Sequence, residues 1–252
     1  MALKTDLSGF YNLEMDLPPV GVKFEFFQPE NMKQLEAEKS LSFCEMLVEA
    51  QTTGVPFYFS RENKETCVGK ILLGMEEMEA FAESGQIGVN LGIFDDARCN
   101  HVFYQHVPRF GRNTVNYVAF SPLDRLNFNP DVLILAAPPS RAEIAMRAVT
   151  YSTGQLYTST TTPVMGCAWS FIHPYLSGNV NYLLPEMVHG MKGRELFPEN
   201  TVLVSIPFQW IPTVAGNLQE MKIHLPGHES KGAYLEEFEG IIKDLEQRSR
   251  KP

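Results

Sequence analysis

Two hydrophobic periods run along the chain, and each predicts a different element. Val20, Val22, Phe24 and Phe26 alternate with Gly21, Lys23 and Glu25, the period-two pattern of a half-buried strand. Leu17-Pro18-Pro19 breaks the chain just ahead of it. Phe43, Met46 and Leu47 fall instead at helical spacing. Ser40 or Ser42 stands where a cap belongs for a helix through Cys44 to about residue 50. Gly54-Val55-Pro56 introduces a strand over 56–60, and residues 75–82 read as a helix ended by Gly85. A strand is expected over 115–120. Residues 131–137 form a nearly continuous apolar run, as in a central strand buried on both faces. Pro138-Pro139-Ser140 then opens a helix over about 141–151, stopped by Gly154, with Ser140 as its cap. The Thr-rich stretch 156–162 and residues 201–206 read as strands, while 164–172 follows neither period. The last helix, 232–246, puts Tyr234, Phe238, Ile241, Ile242 and Leu245 on one face, which is expected to dock on the sheet.

These elements make an α/β protein: one domain over residues 1–252, with a mixed or mostly parallel central sheet flanked by helices. At 252 residues, 44% hydrophobic and 20% charged, the chain can bury a large core without disulfide staples. Its net charge of −9 argues against broad binding to nucleic acid or an anionic membrane, because both require clustered cations. No apolar run reaches the roughly 20 residues a membrane helix needs. Residues 1–7 have no apolar signal core, so a cytoplasmic location with reduced thiols is expected.

In that setting the four cysteines, Cys44, Cys67, Cys99 and Cys167, read as ligands, reactive groups or small core residues rather than disulfides. They stand 23, 32 and 68 residues apart, with no C-x-x-C pair of the zinc-ribbon or ferredoxin kind. Thiolates brought together from separate loops would favour zinc, copper(I) or an iron–sulfur cluster. His101 lies two residues from Cys99, and His189 precedes Gly190; neither sits at a known zinc spacing. No Walker motif and no G-x-G-x-x-G occurs, so nothing supports a nucleotide cofactor. The turns after two strands, 121–124 and 137–141, occupy the position where open α/β sheets bind ligands.

An ordered series of segments resembles the family called domain of unknown function 169. It comprises the strand over 20–24, Phe43-Cys44-Glu45 opening a helix, Phe57-Tyr58 ahead of Glu62, and Cys67-x-Gly69. Leu72-Leu73-Gly74, Ser121-Pro122-Leu123 and Asn129-Pro130-Asp131-Val132 follow, then residues 145–154 and Cys167-Ala168. The resemblance covers about residues 15–210. It implies that Cys44, Cys67 and Cys167 occupy recurrent cysteine positions, whereas Cys99 matches none. Family members often carry a further cysteine ahead of an arginine; here that stretch reads His189-Gly190-Met191-Lys192-Gly193-Arg194.

Three such cysteines imply a [4Fe–4S] cluster with one iron left open to a small-molecule substrate, as in a lyase or desulfidase-type enzyme. The same residues also fit a non-catalytic redox sensor or carrier, with Cys99 or His189 as the fourth ligand and a redox partner. A metal-free binder of small molecules beyond residues 131–137 is the third reading. Oligomeric state stays open.

Overall fold

The sheet grows from β5 (Val132–Ala137), whose residues are apolar on both sides because both sides are covered. Val132 and Ile134 face one hydrophobic core, Leu133 and Leu135 the other, as the two-residue period of a strand dictates. Around it lie β1 (Val20–Glu25), β2 (Lys33–Gln34), β3 (Phe57–Ser60), β4 (Tyr117–Pro122), β6 (Asn181–Leu183) and β7 (Val202–Pro207). The order is β2-β3-β4-β1-β5-β7-β6. β2 and β3 run parallel, and the remaining pairs are antiparallel. The sheet is therefore mixed, as one of the two expected forms; a mostly parallel sheet is excluded. The strand–turn–helix unit does not build a parallel pair, since both neighbours of β5 run against it. The computed structural model describes residues 6–249, with the side chains of residues 81 and 82 set aside. Residues 1–5, most of the segment read as lacking an export signal, fall outside the described residues.

Helices on the two faces make the α/β architecture. α1 (Phe43–Thr53) packs Phe43, Met46, Leu47 and Ala50 onto the first face. A helical segment joins it, with a π turn over Ala168–Ile172 running into α7 (His173–Ser177). α6 (Pro139–Tyr151) and α9 (Ile211–Glu220) cover the second face with a 3-10 turn over Ser8–Leu13. Short helices α2 (Gly69–Leu72), α3 (Ala80–Glu83), α4 (Gln86–Asn90), α5 (Ala97–His106) and α8 (His189–Gly193) form a flank beside the first face. No helix among the described residues is long and apolar enough to cross a membrane.

Several local expectations are revised. The helix read over 75–82 shrinks to α3, four residues long. The Thr-rich 156–162 stretch forms no strand; it is tied instead by Asn181, whose side chain accepts from Thr160 N–H at 2.9 Å and donates to Thr160 O at 3.0 Å. Ser140 does not cap α6: the cap position belongs to Pro138, and no side chain bonds there. Proline pre-set for the first helical turn makes that cap dispensable. α10 (Lys231–Ser249) is present, but no residue of it is buried and Phe238 and Ile241 are each 52% exposed. The face expected to dock is open to solvent.

Candidate functional site

Three of the four cysteines line one cavity of about 260 Å³ on the first face of the sheet. Each arrives from a different element. Cys44 stands in the first turn of α1, which Ser42 fixes through a reciprocal capping box with Glu45. Ser42 Oγ accepts from Glu45 N–H at 3.3 Å, and Glu45 Oε2 accepts from Ser42 N–H at 2.6 Å. Cys167 stands immediately before the π turn, a distortion found disproportionately at functional sites. Just upstream, Met165 has φ +57°, a left-handed conformation that costs a non-glycine residue energy and clusters at such sites. Cys67 lies in the loop that leads into α2.

Close approach of these segments depends on two glycines. A Cβ on Gly69 would stand 2.9 Å from Phe43 Cβ and 3.3 Å from Glu65 Oε1. The bare backbone lets the Cys67 loop reach the start of α1. A Cβ on Gly166 would meet Met191 and Val188 at 2.5 to 3.0 Å, so the strand of chain carrying Cys167 passes tightly against α8. Gly190, which also borders the cavity, has nothing within 4 Å of an added Cβ.

Two charged residues join the segments. Arg194 donates to Glu45 Oε2 and to Thr66 Oγ1, each at 3.0 Å, and to Thr66 O at 2.9 Å. It thereby fastens the residue after Cys44 to the residue before Cys67. Against the upward pull of burial, hydrogen bonds from Ser42 and the Arg194 guanidinium hold Glu45 below the usual carboxylate range. Glu65 is the second. Its burial raises its pKa, offset by backbone N–H groups of Lys70, Cys67, Gly69 and Phe43 that its carboxylate gathers. The Cys67 bond measures 3.0 Å.

The thiols interact electrostatically. Cys167 is buried beside Cys44; its interaction with that thiol and desolvation push the Cys167 pKa well up. Cys67 is exposed at the cavity mouth, yet its sulfur is hemmed in by protein. Desolvation, then the nearness of Cys167 and Glu65, pushes it up to about 11. Ionised together, these sulfurs would repel one another in a poorly solvated wall. Among the described residues, no three His, Cys, Asp or Glu side chains close on a single metal ion.

His189 borders the same cavity; Cys99 does not. Cys99 is exposed on α5. Successive helical residues point about 100° apart, so with Asn100 facing inward Cys99 faces out. His101 meets Glu83 O at 3.0 Å through Nδ1. The turns 121–124 and 137–141 lie away from the cavity: Ser121 Oγ donates to Pro122 O at 3.2 Å and Arg141 pairs with Glu14 at 3.3 Å. Glu65, Arg194 and Asn100 were not singled out by motif reasoning. Glu65-x-Cys67-x-Gly69 is the signal for the first, because a loop carboxylate two residues before a helix-opening stretch is an N–H acceptor.

The fold and cavity define an α/β protein that gathers three cysteines from separate elements on one cavity. The family model of domain of unknown function 169, described as uncharacterised ArCR, matches residues 11–217, and the chain belongs to that family. No curated protein and no solved structure matches the chain.

Proposed function

We propose that Cys44, Cys67 and Cys167 hold a thiophilic metal group, a [4Fe–4S] cluster in the fullest form of the reading, beside a pocket for a small molecule. What carries it is the convergence of three cysteines from distant segments on one cavity. Soft thiolate donors suit iron–sulfur clusters, copper(I) or zinc. Ligands of one tetrahedral zinc stand roughly 3.8 Å apart, from a Zn–S distance of about 2.3 Å. Among the described residues no three donors close on one ion, so the thiols would have to draw together to load a metal group.

Such a group supplies a Lewis acid at a position the protein leaves without a ligand. The stretch 189–194, where the resemblance implies that family members often carry a cysteine, has none here, and that leaves the donor set one short. The residues of the chain do the rest. Arg194 and Glu65 position the Cys67 loop against α1, and apolar walls exclude water. Loading would displace the thiol protons, since Cys67 and Cys167 stay protonated at neutral pH on their own. The roomy apolar wall beyond the thiols favours a small-molecule enzyme of the lyase or desulfidase type over a plain electron carrier. A carrier closed by His189 is the competing reading, because His189 borders the cavity.

The test is anaerobic reconstitution with iron and sulfide, followed by absorption spectroscopy and metal analysis. Cys→Ala at 44, 67 or 167 is expected to abolish the chromophore, and Cys99→Ala to leave it intact. G190C is expected to slow exchange of the group by completing the donor set, whereas H189A is not expected to change its retention. A colourless wild-type protein refutes the cluster, and one that also retains no zinc or copper by metal analysis refutes the proposal.

A further inference from the structure

α10 belongs to neither hydrophobic core. A 3-10 turn over Pro226–His228 holds its first half. Gly227 N–H donates to Glu237 Oε2 at 3.2 Å, and a Cβ on Gly227 would stand 3.0 Å from Tyr234 Cδ2. The family model ends at residue 217, so the helix follows the matched region. Tyr234, Leu235, Phe238, Ile241, Ile242 and Leu245 are each 40 to 54% exposed. At about 100° per residue they share one stripe, about 120° wide. A large apolar side chain carries roughly 200 Å², so six half-exposed ones show roughly 600 Å² to solvent. That equals the upper end of the largest apolar patch on a typical monomer, about 300 to 600 Å².

We propose that this stripe pairs with the same stripe of a second copy, the two helices running parallel about a two-fold axis. Tyr234, Phe238, Ile241 and Leu245 are spaced by 4, 3 and 4 residues, the a and d seam of a helix pair. Lys231 and Arg248 bound the seam at its two ends, and Arg248 is already paired with Asp244 at 2.8 Å. Charge sets the direction. Glu237 and Asp244 fall at g positions, and Leu235, Ile242 and Ser249 at e positions. In a parallel pair each g faces the e five residues on: Glu237 meets the partner's Ile242, and Asp244 meets the partner's Ser249. An antiparallel pair would oppose Glu237 to the partner's Asp244. Two such stripes together bury about 1,200 Å², the lower bound for a specific, stable interface. The contact is isologous and closes on itself, so it ends at a dimer. A membrane surface fits less well: the helix carries five acidic and three basic residues, whereas helices that lie on membranes are rich in Lys and Arg on the polar face. The pairing lies away from the cavity and does not depend on what the thiols hold.

Sedimentation equilibrium of the full chain is expected to show the mass rising toward twice that of the monomer, with a Kd of about 100 µM or tighter. I241E is expected to weaken the pairing at least about tenfold. Because Ile241 is not buried, its urea midpoint in dilute solution should match the wild type. E236Q, on the far side of the helix, is expected to leave the pairing unchanged. Direction is read with L245C in a chain that also carries C67S and C99S. In a parallel pair the two new thiols meet and are oxidised to one disulfide, while glutathione disulfide is reduced to two glutathiones. A chain that stays monomeric up to about 500 µM, or a dimer that survives I241E, overturns the inference. So does a monomer that co-sediments with phosphatidylcholine vesicles. A dimer in which L245C does not cross-link overturns the parallel arrangement.

Discussion

Gly69, two residues from Cys67, and Gly190, on the cavity wall, should respond oppositely to one methyl group. In G69A the new Cβ lies 2.9 Å from Phe43 Cβ, inside the 3.5 to 4.0 Å at which carbon atoms attract. Phe43 cannot step aside. It is 1% exposed, with its ring centroid 4.6 Å from that of Phe171 and 5.3 Å from that of Phe120. The Glu65 carboxylate, at 3.3 Å from the added carbon, is held by the backbone N–H groups around it. Overpacking of this kind costs about 1 to 3 kcal/mol. For a chain of this length that is a fall of roughly 2 to 10 °C in Tm. The Gly69 backbone is not in a left-handed conformation, so contact alone sets the cost. G190A meets nothing within 4 Å and should stay within about 0.5 kcal/mol of wild type. Urea unfolding of the three proteins measures both. If G69A unfolds with the wild-type midpoint, or G190A falls as far as G69A, the close approach of the Cys67 loop to α1 is not what holds the site.

Cys67 of the metal-free protein should alkylate slowly although it is exposed. Raising its pKa from 9.0 to about 11 lowers the thiolate fraction at pH 8 by about a hundredfold, so iodoacetamide should label it about a hundred times more slowly than the same cysteine in a short peptide; equal rates would refute its desolvation. R194Q removes the ion pair to Glu45 and the bonds to Thr66. With both charged side chains about one-third exposed, the loss should be about 1 to 2 kcal/mol. The labelling rate of Cys67 should change while that of Cys99 does not, and a uniform change at both would mark general loosening. Burial raises the pKa of Asp131, partly offset by the Phe24 N–H at 2.8 Å. The protonated form is thus the better fit to the fold, and the cost of the charge is absent below pH 3.8 and grows as pH rises through the raised value. D131N keeps an acceptor for Phe24 and should gain stability over wild type between pH 4 and 7; a deficit that widens toward pH 7 would contradict this sign.

The central strands were legible because their chemistry is local. A run apolar on both sides, as in β5, can be satisfied only by cover on both faces, and α1 and α6 supply it. The helix start was legible to within two residues: Ser40 and Ser42 both stood as caps, and the capping box with Glu45 falls on Ser42. The direction of neighbouring strands was not legible. β5 reads the same whether its partners run with it or against it, and the chain after α6 passes into the stretch around residue 160, which is not part of the sheet. That stretch has the composition of a strand, but its backbone is engaged by the Asn181 side chain.

The cavity divides along the same line. Cys44, Cys67 and Cys167 were found as matches to recurrent positions, one cysteine at a time, and spacing alone gave no reason to join them. Arg194 and Glu65 join the segments of the first two in space, through bonds that cross as many as 149 residues of chain. Asn100 illustrates what periodicity conceals. In the sequence it is the neighbour of Cys99, and the thiol attracts notice. On α5 the single step between them turns one side chain toward solvent and buries the other against Gly85 and Tyr104. The conspicuous residue lies outside the site, and the plain amide beside it borders the cavity.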